Sequence, residues 1–226
     1  MPSAKIAREV DESGDSVRHR GGAVTTASDA IRELILTREL LPGQQLVQDD
    51  LVDRIGMSRG PVREALRALS QDGLITHSPN RGYVVTRFNL DEMTQMYTLR
   101  DLIESQVLST LPKPTAKQLR SVRAINEKIK NPNVSVAEAM RLNREFHFQI
   151  FNASNQQLLV RELNRWWDMS ISYMVMGIGI WAERAEMMGK AHDDQVEAWA
   201  EHDNERLVEL CREHRWVSLK RLSNLV

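Results

Sequence analysis

Three of the six histidines sit where imidazoles from separate helices could meet on one metal ion: His147, His192 and His214. Ligands contributed by facing helices are a normal construction for a site in a helical bundle. Asn143 precedes His147 by four residues, so in a helix the two side chains share a face. Each histidine also has a plainer reading as a hydrogen-bonded core residue, and His147 stands between Phe146 and Phe148. His19, His77 and His202 read as solvent or structural residues. Cys211 is the single cysteine, which excludes an internal disulfide framework and a cysteine-rich zinc module. It has no placed base partner, so a thiol nucleophile finds no support. The rival function is a metal-dependent hydrolase or lyase on a helical bundle, with Glu145 as base beside the three histidines. No HExxH run and no phosphate-cradling glycine loop accompany it.

A second group of residues has a different chemistry. Arg59, Arg63 and Arg67 recur every four residues, and only Glu64 opposes them within the same helix. A guanidinium binds phosphate, or the O6/N7 edge of guanine, through two parallel hydrogen bonds. Ser58, at the helix start, adds a hydroxyl where backbone N–H groups favour phosphate. The plainer reading is an amphipathic helix whose arginines face water. Residues 23–86 hold seven arginines against eight acidic residues. Any nucleic-acid affinity would need a small focused patch, doubled by dimerisation.

The elements that would position these groups can be read from periodicity and punctuation. Residues 1–22 read as a disordered arm of mixed charge, closed by Gly21-Gly22. A helix begins near Thr26, with Ser28 as its cap, and Leu41-Pro42-Gly43 ends it. A short helix with Leu51, Val52 and Ile55 inward stops at Gly56. Ser58 caps the next, which buries Val62, Ala65, Leu66 and Leu69 and runs to about Gln71. Leu74–His77 and Tyr83–Thr86 form a hairpin. Three helices followed by a hairpin give a winged helix-turn-helix over residues 23–88. Residues 89–226 read as an all-α antiparallel bundle. Its helices are expected from Asn89 or Asp91 to Leu108, at Thr115–Lys130, and from a Ser135/Glu138 capping box to about Phe151. Three more follow near Asn155–Met176, Ala182–Ala200 and Asp203–Leu222.

With 226 residues, 42% of them hydrophobic, and a net charge of −1, the chain can bury a core and is not a basic-tail nucleic-acid binder. It has no apolar run of membrane-spanning length and no secretory leader pattern in residues 1–20, so the expectation is a cytoplasmic protein.

Four segments in order resemble the DNA-binding domain of GntR-family transcriptional regulators. They are Leu41–Leu46, Met57–Leu66, Asp72–Ile75 and Asn80–Val85. The resemblance implies that the helix at Ser58 enters the major groove and that the hairpin tip touches the minor groove. On that match Ser58, Arg59, Gly60, Arg63, Arg81 and Gly82 are the DNA contacts. Tyr97–Glu104, Asn143–His147, and the order and spacing of His192, Ala198, Asp203 and His214 resemble the FCD ligand domain of the FadR subfamily, in its smaller VanR-like form with six helices. That domain implies a divalent metal, zinc or nickel, held by an Asp and three His, with a small organic acid beside it. Asn143 stands where the Asp is usual. A carboxamide oxygen still coordinates, but it is neutral and a weaker donor.

Arg100 reads either as an i,i+4 ion pair with Glu104 on a solvated face or as the arginine that holds the effector's carboxylate, and the resemblance favours the second. Met169, Met174 and Met176 are candidates to line the cavity. The expected protein is a homodimeric regulator of a double-stranded operator, not an enzyme, released from DNA by its effector in the manner of a repressor.

Overall fold

The computed structural model describes the backbone of residues 9–178 and 184–223, and side chains at 22–170, 173 and 184–217. Residues 1–8 of the expected arm and the Met174 and Met176 side chains lie outside the described set. The chain divides into two compact units, with the main break between Arg87 and Phe88.

The first unit begins with α1 (Glu9–Leu36), then β1 (Gln45–Leu46), α2 (Gln48–Ile55), α3 (Arg59–Gln71), β2 (Ile75–Ser78) and β3 (Gly82–Val85). It departs from expectation at its start. Residues 9–22 are helical, and the helix passes through Gly21-Gly22 and Ser28. A glycine inside a helix costs about 1 kcal/mol, which weakens the helix without ending it. No proline interrupts Glu9–Leu36, and Glu9, Asp11, Glu12 and Asp15 lie near its positive end. Ser28 is buried in mid-helix beside Ala27 and Ile31, so it is no cap. The helix also stops earlier than Leu41-Pro42-Gly43 suggests, because Arg38 takes a left-handed turn (φ 64°).

Gly56 ends α2 with φ 68° and donates its N–H to the Val52 carbonyl. That left-handed residue makes the tight corner between α2 and α3 and suits glycine. Val62, Ala65, Leu66 and Leu69 of α3 are all buried, as their spacing predicts. The sheet order is β1-β3-β2, antiparallel throughout. The two-residue strand β1 escapes sequence reading because it is too short to show alternation.

The second unit contains six helices among the described residues: α4 (Leu90–Ser109), α5 (Ala116–Ile129), α6 (Val136–Phe151), α7 (Gln157–Ile178), α8 (Ala185–Glu201) and α9 (Asn204–Ser223). Asn89 with Glu92 and Thr115 with Gln118 form reciprocal capping boxes that fix the starts of α4 and α5. The expected box at Ser135 is half formed. The Ser135 hydroxyl accepts from the Glu138 N–H at 3.1 Å, but the Glu138 carboxylate pairs with Arg141. His202, in a left-handed conformation (φ 61°), turns the chain from α8 into α9, and its Nε2 lies 3.0 Å from the Leu111 carbonyl. Helix α4 packs on α7 and α9, while α5 packs on α6 and α8. These pairings bring one face of α6, α8 and α9 to a common interior.

Candidate functional site

In that interior the three histidines come together. Their ligating nitrogens all lie within 4.8 Å of one another. Two nitrogens each ~2.1 Å from one ion are roughly 3.3–4.2 Å apart, so little contraction is needed. His147 and His192 are buried and His214 half-buried. His192 stacks on Phe146, with ring centroids 4.0 Å apart, and His147 lies between Phe146, Phe151 and Trp167. The aromatic residues that made a core histidine plausible therefore form the walls of the cluster.

Two orphaned atoms mark the spot. Asn143 Oδ1 and His192 Nε2 are buried without a hydrogen-bond partner. A buried acceptor left unpaired costs free energy, and such groups call for an explanation. An ion placed between them would take the lone pairs of both. The set of three imidazoles and one carboxamide suits zinc or nickel. Burial holds the His147 imidazole well below its usual pKa, helped by repulsion from His192, His214, Arg100 and Arg215. The same burial, with His214, depresses His192. Both therefore present neutral imidazoles at ordinary pH.

This has a consequence for the metal-free protein. Above pH ~6.5 these histidines are neutral in both folded and unfolded chains and contribute no slope. Below it the unfolded chain takes up protons that the folded chain refuses, so stability falls as pH falls. The expected slope is up to ~1.4 kcal/mol per pH unit for each of the two. Urea unfolding between pH 5 and 8 checks this; a flat profile would show that both imidazoles are freely protonated in place.

Beside the histidines is a cavity of about 30 Å³ lined by Tyr97, Arg100, Asn143, His147, Trp167 and His214, among others. It has room for an ion or a water molecule or two, and a larger ligand must displace side chains. Arg100 is not on a solvated face. It is 3% exposed, donates to Glu104 Oε1 through Nε and Nη2 and to Ser170 Oγ at 2.9 Å, and lies 4.3 Å over the Trp167 ring. The ion pair with Glu104 and the position on the cavity wall are both present, so the two readings of Arg100 do not exclude each other. Arg215 donates to Glu104 and to Asp101 from the other side. Around the cavity two guanidinium groups thus share the single carboxylate of Glu104. The Tyr97 hydroxyl also lines it, buried and without a partner. Cys211 sits in the same wall, its thiol pushed far up by burial, which removes it as a nucleophile.

Sequence reasoning missed Arg215, Tyr97, Trp167 and Asn126 as parts of this site. Asn126 left a signal of its own, a polar residue on the apolar stripe of Val122, Ile125 and Ile129, and Tyr97 opens the Tyr97–Glu104 segment that carries the family resemblance.

In the first unit, Arg59, Arg63 and Arg67 point outward, with side chains more than half exposed. Arg59 pairs with Asp49 of α2, and Glu64 pairs with both Arg63 and Arg67. Such exposed pairs are worth ~0–1 kcal/mol and give way easily to phosphate. The first turn of α3 holds no acidic residue, and the Ser58 hydroxyl makes no cap hydrogen bond. Space around Gly60 is open. Arg81 is exposed at the hairpin tip, next to Gly82 (φ 68°).

Comparison with known proteins agrees with this division. Residues 23–85 match the family described as "Bacterial regulatory proteins, gntR family", and residues 95–215 match the FCD domain. Among curated relatives, the Nta operon transcriptional regulator of Aminobacter aminovorans is 29% identical over 121 residues, covering 52% of this chain and 58% of that protein. An uncharacterized HTH-type transcriptional regulator, BphR of Paraburkholderia xenovorans, is 28% identical over 204 residues, covering 81% and 78%. The chain spans less than two thirds of the length of the first several relatives it matches. The solved structure of E. coli McbR/YncC superposes with a TM-score of 0.81 at 18% identity, over 90% of this chain and 98% of that one, a likeness of fold.

Proposed function

This chain belongs to the gntR family of bacterial regulatory proteins and carries an FCD domain, and from that membership we propose a homodimeric regulator whose operator affinity is set by a small carboxylate effector bound beside a divalent metal ion. As a member of that family it is a transcriptional regulator, not an enzyme. The observation that carries the ligand reading is the pair of orphaned buried atoms, Asn143 Oδ1 and His192 Nε2: His192 belongs to the cluster with His147 and His214, and Asn143 lines the cavity beside it.

The ion, when bound, supplies a Lewis-acidic centre that takes an oxygen of the effector. His147, His192 and His214 hold it, with Asn143 as a weak fourth donor. Arg100 and the Tyr97 hydroxyl bind and orient the effector's carboxylate. Trp167 and Phe146 keep the site dry, which strengthens each polar contact. On the DNA side, Arg59 and Arg63 reach base edges or phosphates, Ser58 and the bare backbone at Gly60 take phosphate, and Arg81-Gly82 reach the minor groove. A two-fold dimer doubles these contacts across a pseudo-palindromic site. To act as a switch, the effector must bind one dimer geometry better than the other, a coupling of typically ~1–3 kcal/mol.

The test is a titration of affinity for selected genomic fragments, with zinc present, against a panel of short organic acids. One acid is expected to release wild-type protein from DNA. Arg63→Ala should lose ~1–3 kcal/mol of operator affinity. Arg100→Ala should keep DNA binding and lose the response to the acid. Unchanged operator affinity in Arg63→Ala would remove α3 from the groove, and a full acid response in Arg100→Ala would move the effector elsewhere.

A further inference from the structure

His192 is held from behind. Its Nδ1 lies 3.1 Å from Asn126 Oδ1, across the interface between α8 and α5. The Asn126 amide nitrogen donates to two acceptors, the Gly189 carbonyl and Asp193 Oδ1, each at 2.8 Å. Those two acceptors fix which end of the amide faces the imidazole: the nitrogen is committed to them, so the oxygen must face His192. An oxygen there accepts, so Nδ1 must carry the proton. In a neutral imidazole, Nε2 is then the bare lone pair. That is the atom found buried and unpartnered, on a histidine of the cluster.

The clamp has its own support. Asp193 also receives Lys130 Nζ at 2.8 Å, and Lys130 pairs with Glu127 at 2.7 Å. The Lys130 stem lies directly on Gly189, where an added Cβ would stand 2.3 Å from Lys130 Cγ. Asn126 and Lys130, the C-cap of α5, are one turn apart, and Gly189 and Asp193 are one turn apart on α8. The two helices are thus locked in the register that presents Asn126 to His192.

We propose that Asn126 is a positioning residue that fixes His192 as its Nδ1–H tautomer, aiming the Nε2 lone pair at the metal cluster before any ion arrives. The proposal rests on the metal reading above only for its effect on affinity. The tautomer itself is a property of the metal-free protein.

The experiment compares wild type, Asn126→Leu and Asn126→Asp, two replacements of nearly equal size. Nitrogen-15 NMR of the metal-free proteins reads the His192 tautomer, zinc affinity is measured by competition with a chromophoric chelator, and urea unfolding reports stability. Asn126→Leu removes the acceptor: the Nδ1–H preference should be lost and zinc affinity should drop ~10–100-fold. Asn126→Asp keeps the acceptor while losing both donors and placing a carboxylate beside Asp193. It should be less stable than wild type, yet keep the Nδ1–H tautomer and bind zinc at least as tightly. A residue that merely holds α5 to α8 predicts the reverse, with affinity following stability in both variants.

A His192 tautomer unchanged in Asn126→Leu overturns the proposal. Should that variant fail to fold, Asn126→Asp decides alone: an Nε2–H tautomer or weakened zinc binding there overturns it, and an unchanged tautomer with tight zinc supports it. If wild type itself binds no zinc, the metal reading fails, while the tautomer comparison still tests the clamp.

Discussion

Glu104→Gln should destabilise the helical bundle by about 3–5 kcal/mol, an effect of the size expected when one partner of a buried ion cluster is removed. Glu104 is 3% exposed and is the acceptor for both Arg100 and Arg215, themselves 3% and 5% exposed. The amide that replaces it is nearly the same size but neutral. It leaves two guanidinium groups close together in a dry site, with Arg215 still paired to Asp101, which Arg212 shares. A surface pair would cost ~0–1 kcal/mol and would fade with salt, whereas this loss should persist in high salt because the charges lie away from the ionic atmosphere. The melting temperature should fall by roughly 10 °C or more for a unit of this size. The variant should also bind small carboxylates more tightly, since the two guanidinium charges that Glu104 neutralised then attract an anion into the adjoining cavity. Denaturation with and without added acetate measures both effects. A change under 1 kcal/mol, or no extra stabilisation by acetate, would mean that the two arginines do not depend on Glu104.

The sequence shows the Arg100–Glu104 pair as an i,i+4 spacing and cannot show that it is buried. Burial is decided by Trp167 of α7 and Arg215 of α9, which come from distant parts of the chain. The same limit explains the rest of the site. His147, His192 and His214 are legible because few other residue types coordinate metal and because their helices announce themselves through caps and breaks. Arg215 lies one residue after His214 and looks like any charged residue on a helix whose neighbours are mostly polar. Asn126 is a short amide in an amphipathic helix, and its role depends on Gly189 and Asp193 more than sixty residues away. In the first unit, the buried stripe of α3 follows directly from periodicity. The start of α1 does not, because paired glycines are a common end to a helix and here the chain continues through them.

Asn143→Asp should tighten zinc binding by at least ~10-fold and weaken its dependence on added carboxylate. The donor set of the native site carries no negative charge: three imidazoles and a carboxamide, with Arg100 and Arg215 nearby and Glu104 engaged by both. A divalent ion entering this site meets a positive surrounding, so a carboxylate binding with it, as proposed, would supply the missing charge. Ion and acid should therefore bind cooperatively in wild type, each tightening the other by the same factor, about 5–150-fold for a coupling of ~1–3 kcal/mol. A carboxylate at position 143 supplies that charge from the protein. Opposite unit charges 4 Å apart gain ~4 kcal/mol at an effective dielectric constant near 20, and desolvation of the new carboxylate offsets part of it. In the metal-free variant the same carboxylate is buried where Asn143 Oδ1 already lacks a partner. The metal-free protein should lose stability, the zinc-loaded one should not, and the gap between their melting temperatures should widen. Zinc competition assays with and without acetate, on both proteins, give the two couplings directly. Equal zinc affinity in wild type with and without acetate would refute the charge argument. Equal affinity in wild type and Asn143→Asp would place residue 143 outside the coordination sphere and leave the ion, if bound, to the three histidines alone.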